Sequence, residues 1–474
     1  VKRALVVGGG IGGLAAAAFL RGRGIEVTLL EAAPFFGGLA AGFEAGGLAY
    51  DGGPYILLDR PGLAWAFAAL GLVLEEELAL RRVDFVYEVR SDDAAPVRVY
   101  GALDETVAAL EAAYPGSAEP YRRFIAEMTT ANARLRPLLT HETPGALSAL
   151  RTGAFRALPV LLRSLADVLE RTGLARPVRD ALAIWTHIAG QDVATAPSPL
   201  AFVPALIHGE GCYVPRGGVA AVAARLERLA RDRGVDLRAG AKVARIAVRD
   251  GRAVGVELAS GEELFADVVV SNAGGVGTLL ELVPADTIAD EAWVRALPLQ
   301  SPGVAAFLRA PRGRASPMPY MTFWRTESDE QAPSRLLVRP AALDPEGTSA
   351  LVPARLVAPL SHRVSSELAG AGQEALLDRL LAEPRFAAEL GSFDVVARRT
   401  PRTYGATHHL YRDSMNPVMT AAFMRRGRLP HRVPHPKGLY LVGSATHPGQ
   451  WVSFCAISGV LGAKKAAHDL GLDA

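Results

Sequence analysis

The sequence predicts an α/β fold in which the chain enters one doubly wound domain three times and leaves it for a helical cap and a mixed α+β domain. Three observations carry this prediction. Near the start, a short apolar strand from Ala4 to Val7 runs into Gly8-Gly9-Gly10-Ile11-Gly12-Gly13 and then into an alanine-rich helix from Leu14 to Arg23. In the middle, apolar and polar residues alternate in short strands at Lys242 to Val248, Ala253 to Leu258 and Asp267 to Ser271, broken by Asp250-Gly251 and Ser260-Gly261 as hairpins require. At the end, a buried strand closes on Gly443 and feeds a last helix in which Gly459 and Gly462 thin one face for close packing.

Composition narrows the functional classes. A chain of 474 residues is long enough for two or three domains, and with 50% hydrophobic and 21% charged residues it buries a large core. Lys+Arg at 51 against Asp+Glu at 49 leaves a net charge of +2, which gives no bulk attraction to nucleic acid. The two cysteines, Cys212 and Cys455, make neither a disulfide framework nor a zinc site and fit a reducing, cytoplasmic setting. Lys2 and Arg3 followed by Ala4 to Leu20 imitate a secretory leader, but the glycines at 8, 9, 10, 12 and 13 make this stretch a nucleotide loop. No other stretch approaches 18 uninterrupted apolar residues, so a spanning protein is not expected, while peripheral attachment to the inner face of a membrane stays open.

Each glycine of the first loop has its own task. Gly8 permits the tight turn, Gly10 lets the backbone approach a pyrophosphate, and Gly13 lets the helix pack on the strand, with the phosphates facing the helix N-terminus. A second strand, Glu26 to Leu30, ends at Glu31, where a carboxylate can accept ribose hydroxyls. The next segment, Pro34-Phe35-Phe36-Gly37-Gly38-Leu39, brings a second glycine pair where another crossover helix would be usual, and this points to a cofactor longer than a plain dinucleotide. Gly8 to Gly13, Glu31 and Gly37-Gly38 together resemble the extended dinucleotide-binding signature of the amine oxidase and phytoene desaturase superfamily, which implies FAD in a Rossmann-like domain. Tyr50-Asp51-Gly52-Gly53-Pro54-Tyr55 resembles the D-x-G-P segment of carotenoid desaturases, and Gly211 to Gly218 is similar to their Y-x-P-x-G-G element. Leu439-Tyr440-Leu441-Val442-Gly443-Ser444-Ala445-Thr446-His447-Pro448-Gly449 resembles their L-Y-L-V-G-x-x-T-H-P-G motif.

The resemblance implies FAD contacts at Gly8, Gly10, Ile11, Gly12, Gly13, Glu31, Gly37, Gly38, Leu39, Gly53, Pro54, Tyr55, Gly443, Ser444, Gly449, Trp451 and Val452, and through backbone near Val243. The N-terminus of the last helix is expected to face the pyrimidine edge of the flavin, where negative charge appears on reduction. Leu39 stands where amine oxidases usually carry arginine, which argues against that branch. Gln450 to Cys455 replaces the glycine and proline that typically follow Gly449 in phytoene desaturases, so the wall nearest the flavin is expected to differ. Tyr55, His447 and Trp451 are the candidates for a catalytic part. His408-His409 near Arg412 reads as an acid/base pair or, more simply, a solvated loop, and Cys455 as a flavin attachment point or, more simply, a buried thiol.

The FAD-binding domain is expected at residues 1–75, 205–285 and 430–474, a helical cap at 76–204 and a mixed substrate domain at 286–429. In the stretch from 151 to 188, Phe155, Leu158, Leu161, Leu162, Leu165, Val168 and Leu169 interleave with Arg151, Arg156, Arg163, Arg171, Arg176 and Arg179. A pair of basic amphipathic helices there can lie on an anionic membrane; the simpler reading packs the leucines inward, and Asp167, Glu170 and Asp180 dilute the basic face in its favour. Ser271-Asn272-Ala273-Gly274-Gly275 lacks dinucleotide spacing, so no NAD(P)H domain is expected and reoxidation falls to oxygen, a quinone or another diffusible acceptor. The expected function is hydride transfer from C–H to flavin N5 that desaturates an apolar polyene or isoprenoid. The alternatives are a redox-neutral flavin isomerase, an amine or small-molecule oxidase, and a non-catalytic escort of prenylated partners. No metal site is expected, and oligomeric state is not readable.

Overall fold

A computed structural model describes residues 1–472 other than 143, 189, 286, 289, 314–316, 327, 328, 330 and 345; the last two residues of the 430–474 segment therefore lie outside the described residues. The first strand, β1 (Arg3–Val7), is followed by helix α1 (Ile11–Gly22) and strand β2 (Glu26–Glu31). Leu439–Leu441, Val268–Ser271, β1, β2 and Asp236–Ala239 form, in that order, a five-stranded parallel sheet. Its strands are apolar on both faces because both are covered. Ala4, Val6, Val27, Leu29, Val268 and Val270 pack on α1, on Ala220–Asp232 and on the C-terminal helix Val452–Asp469. Leu5, Val7, Leu30, Val269 and Leu441 pack on the other side against Ile246 and Val256 of an antiparallel sheet formed by Val243–Arg249, Arg252–Leu258 and Glu263–Phe265.

Helix α1 starts at Ile11 rather than at Leu14, so Gly12 and Gly13 form its first turn. Packing overrides their poor helix propensity here. A Cβ on Gly459 would stand 2.3 Å from the Gly12 carbonyl oxygen, so α1 and the C-terminal helix meet backbone to backbone.

A seven-stranded sheet makes the second body, ordered Asp394–Arg399, Val304–Pro311, Leu351–Ala358, Ser334–Val338, Met321–Arg325, Phe85–Ser91 and Ala94–Tyr100. The last two strands correct the reading of 76–204 as purely helical. Phe85–Ser91 is held by parallel pairing with Met321–Arg325, a partner too distant in sequence for local patterning to reveal.

The stretch from 151 to 188 is likewise not a pair of helices. It breaks into Leu158–Leu161, Leu165–Glu170, Arg176–Ala183 and Trp185–Ile188, with Gly153 and Gly173 at positive φ and Pro159 and Pro177 in first turns. Val160, Leu165, Val168 and Leu169 are buried as the simpler reading expects, but Leu147, Leu150, Phe155, Leu158 and Leu162 are 41–72% exposed. Among the described residues no helix is long and apolar enough to cross a membrane, and no cluster of metal-ligating side chains exists.

Candidate functional site

The site forms where the C-terminal ends of β1, β2, Val268–Ser271 and Leu439–Leu441 converge, the edge at which parallel α/β sheets bind ligands. Gly8 adopts φ +93°, and its N–H donates to the Leu30 carbonyl at 2.8 Å. A Cβ on Gly13 would stand 2.0 Å from the Gly8 carbonyl oxygen, so nothing larger than glycine fits there. Gly10 caps α1 without any side-chain hydrogen bond, which leaves the first-turn N–H groups free for an anion. The second glycine pair lies directly alongside: Gly37 N–H donates to Gly9 O at 2.8 Å, and Gly37 bridges to Gly10.

Glu31 is fixed at the mouth of this loop. Its Oε2 accepts from Gly9 N–H at 2.6 Å and its Oε1 from Ala33 N–H at 2.7 Å, and each oxygen keeps a lone pair for a hydroxyl. Ala241 N–H donates to the Glu31 carbonyl at 2.8 Å, which places the start of Val243–Arg249 beside it.

The sequence reading passed over Asn272. Its N–H donates to Val7 O at 2.7 Å, while its amide occupies the space that side chains on Gly10, Gly12 and Gly443 would need. Nδ2 stands 2.7 Å from a Gly10 Cβ position and Oδ1 2.7 Å from that of Gly12. One amide thus plugs the floor shared by the first loop and the closing motif. The only sequence signal was a polar residue directly after an apolar strand.

The closing motif is pinned to its own helix. Gly443 N–H donates to Ser458 Oγ at 2.8 Å, and the Thr446 hydroxyl donates to Gly443 O at 2.9 Å. Ser444 is half-buried beside them. Trp451 caps Val452–Asp469 with no side-chain bond, so a second uncapped helix N-terminus opens on the same edge. Gln450 Oε1 accepts from Asn416 Nδ2 at 2.9 Å, and Asn416 also donates to Gln300 Oε1 at 2.5 Å. This amide chain ties the closing motif to the second body through the very residues that depart from the family pattern.

The segment from Asp51 to Tyr55 is built into the same place. Asp51 accepts from Val219 N–H at 3.0 Å and Ala220 N–H at 2.9 Å, capping Ala220–Asp232 and joining the D-x-G-P-like segment to the Gly211–Gly218 element. Burial raises the Asp51 carboxyl above its ordinary range. Gly53 sits so close to Leu39 that a Cβ would stand 1.9 Å from the Leu39 carbonyl oxygen, and Pro54 follows it half-buried. Tyr55 and Trp451 both lie against the apolar cluster between cap and second body, with Trp451 stacked on Phe454 at 5.0 Å.

The remaining candidates fall to structural roles. His447 Nε2–H donates to the Leu138 carbonyl of the cap helix Ala118–Leu139 at 2.8 Å, and burial pushes its pKa down to about 4, so it is neutral near pH 7 and ties motif to cap. His408 packs edge-on to Phe35 and Tyr404 at 5.7 and 4.3 Å, also with its pKa down at about 4, while His409 is exposed with φ +52°. The two imidazoles therefore form no acid/base pair. Burial pushes the Cys455 thiol up to about 12, and its Sγ lies 3.9 Å from Gly449 O, so it is no thiolate.

Two glycine elements, a carboxylate fixed beside them and two uncapped helix ends on one sheet edge fit one class, a flavin-dependent oxidoreductase. The sequence profile described as flavin containing amine oxidoreductase matches residues 11–467, and the chain belongs to that family. A hydroxyneurosporene desaturase from Rubrivivax gelatinosus is 28% identical over 503 residues, covering 98% of this chain and 92% of that one. A zeta-carotene-forming phytoene desaturase from Myxococcus xanthus is 34% identical over 279 residues, covering 57% of this chain and 53% of the relative, so this match spans about half of the relative's length. Cyclohexylamine oxidase from Brevibacterium oxydans IH-35A superposes with a TM-score of 0.63 at 17% identity, covering 99% of both chains, a likeness of fold. The resemblance to carotenoid desaturases within the amine oxidase superfamily is thus borne out.

If Asn272 is the common floor of both glycine segments, Asn272→Val keeps the fold but loosens the loop. Titration of the stripped protein with flavin is expected to show affinity weakened about tenfold, ~1.4 kcal/mol. Wild-type affinity in the variant would contradict the role.

Proposed function

We propose that the chain is an FAD-dependent desaturase of an apolar polyene or isoprenoid. The observation that carries this reading is the continuity of the glycine-lined edge, through Tyr55 and Trp451, with the large apolar cluster between cap and second body. In this reading residues 1–75, 205–285 and 430–474 hold the cofactor, 286–429 with the strands at 85–100 face the substrate, and the remaining helices of 76–204 close over it.

The N–H groups of Gly10, Ile11, Gly12 and Gly13, behind the Gly8 turn, would hold the diphosphate, Glu31 the adenosine ribose, and backbone at Val243 the adenine. Gly37, Gly38, Leu39, Gly53, Pro54, Tyr55 and Trp451 would hold the isoalloxazine. Gly443, Ser444, Gly449 and Val452 would present the second helix N-terminus to the flavin, where it would favour negative charge. When bound, FAD supplies the two-electron acceptor. The substrate loses a hydride from one carbon and a proton from its neighbour, a C=C bond forms, the proton leaves to water, and a diffusible acceptor, oxygen or a quinone, later removes the two electrons. The residues around this chemistry position the chain and exclude water, so no catalytic triad is needed.

Substrate entry from a lipid surface fits the cap. Leu147, Leu150, Phe155, Leu158 and Leu162 project from one short segment among Arg151, Arg156 and Arg163, an apolar patch with a basic rim suited to an anionic bilayer. Co-sedimentation with phosphatidylglycerol vesicles is expected for the wild type and lost in Leu158→Glu/Leu162→Glu; equal sedimentation of both would refute the surface role.

For the chemistry, anaerobic addition of phytoene in detergent micelles is expected to bleach the yellow flavin band while longer-wavelength polyene absorption appears. Bleaching by a primary amine instead, with phytoene inert, would move the protein to the amine-oxidase branch.

A further inference from the structure

Arg355 on Leu351–Ala358 and Arg399 at the end of Asp394–Arg399 each keep only 7% of their surface exposed. Val304–Pro311 runs between their strands, pairing Phe307 with Arg355 and Ala305 with Arg399, so both arginines share the Phe307 face, which packs toward the cap and Tyr55. Their guanidinium carbons lie 5.3 and 6.0 Å from the Phe307 ring centroid, with Tyr55 5.6 Å from Arg355 and Tyr404 4.5 Å from Arg399.

Among the described residues neither cation has a carboxylate partner. Arg355 donates from Nη1 to Gly53 O at 2.5 Å and Asp51 O at 3.4 Å; Arg399 donates from Nη1 to Gly52 O at 2.5 Å and from Nη2 to Pro302 O at 3.2 Å. The Nε of each is buried without a partner. The nearest acid, Asp51, spends both oxygens on the cap of Ala220–Asp232. Two like charges thus share one buried, aromatic-walled box in which their hydrogen bonds go to backbone carbonyls and the Asp51 carboxylate acts on Arg355 only through space, and burial together with Arg355 pulls the Arg399 pKa down to about 9. Buried charges are normally paired, and a pair of apolar residues would suit this sheet better unless an anion completes the site.

The unused donors indicate which anion. Arg355 employs only Nη1, leaving its Nε and Nη2 edge, the fork that grips a carboxylate with two parallel bonds, and Arg399 adds its Nε. The box adjoins the glycine pair, since Tyr404 Oη–H donates to Leu39 O at 3.3 Å and the carbonyl that holds Arg355 belongs to Gly53, which abuts Leu39. We propose that Arg355 and Arg399 receive the carboxylate end of an elongated apolar substrate, so that the substrate class is a polyene or isoprenoid acid and the chain is held in one direction along the flavin site. This rests on the apolar-chain reading above and narrows it.

The test compares all-trans-retinoic acid with all-trans-retinol on the flavin-loaded protein by tryptophan fluorescence quenching. Wild type is expected to bind the acid at least about tenfold more tightly, Arg355→Met and Arg399→Met to lose that preference while keeping retinol affinity, and Arg355→Lys to restore part of it. Equal affinity of the wild type for acid and alcohol overturns the proposal and leaves the apolar-chain reading standing, and this arm needs no variant to fold. Binding of neither overturns both. If the arginines serve the anion of the reduced cofactor instead, Arg355→Met keeps the acid preference and lowers the flavin reduction potential, which also overturns it.

Discussion

Backbone contact between chain segments far apart in sequence is the constraint on which the site depends. The Gly12 carbonyl would lie 2.3 Å from a Cβ on Gly459, and a Cβ on Gly12 would lie 3.0 Å from the Gly443 Cα. Only with no side chain between them can α1, the closing turn and the C-terminal helix bring two uncapped N-termini to one sheet edge. Such an edge favours negative charge at two places, the first loop and the start of the C-terminal helix. Asn272 fills what the glycines leave open, so the floor is polar and closed rather than a void.

That constraint also fixes how the two bodies communicate. Gly53 O accepts from Arg355 of the seven-stranded sheet, Gln450 reaches the second body through Asn416, and His447 reaches the cap through Leu138. Each link uses a residue inside or next to a glycine motif. The seven-stranded sheet is therefore anchored to the segments that line the cofactor edge, and any chain lying on its Phe307 face lies against Tyr55 and Leu39 as well.

How much of this the sequence disclosed follows from how local each requirement is. The loop at Gly8 to Gly13, Glu31 and the pair at Gly37-Gly38 were legible because a tight turn, a close approach and an acid at the end of the second strand each demand a particular residue at a fixed offset. Asn272 was not, since its partners come from two segments distant in sequence and an isolated asparagine after a strand carries no periodicity. The parallel pairing of Phe85–Ser91 with Met321–Arg325 was hidden for the same reason, although Ala94–Tyr100 pairs with Phe85–Ser91 as a local hairpin. In the stretch from 151 to 188 the leucine spacing gave amphipathicity but not its direction, and three of those seven side chains, Phe155, Leu158 and Leu162, face out. His447 and His408 looked like chemistry because imidazole is chemically versatile; burial and a carbonyl or aromatic partner make each a structural neutral. Arg355 and Arg399 drew no notice in a sequence rich in arginine, and only their burial without a counter-ion sets them apart.

The family implies a flavin, and the second glycine pair lies directly against the first. The most direct measurement is the absorbance spectrum of the purified protein, followed by chromatographic identification of whatever heat releases. A yellow protein giving up FAD in equimolar amount is the predicted result. Release of FMN, or a colourless protein that takes up no FAD when it is supplied, would contradict it.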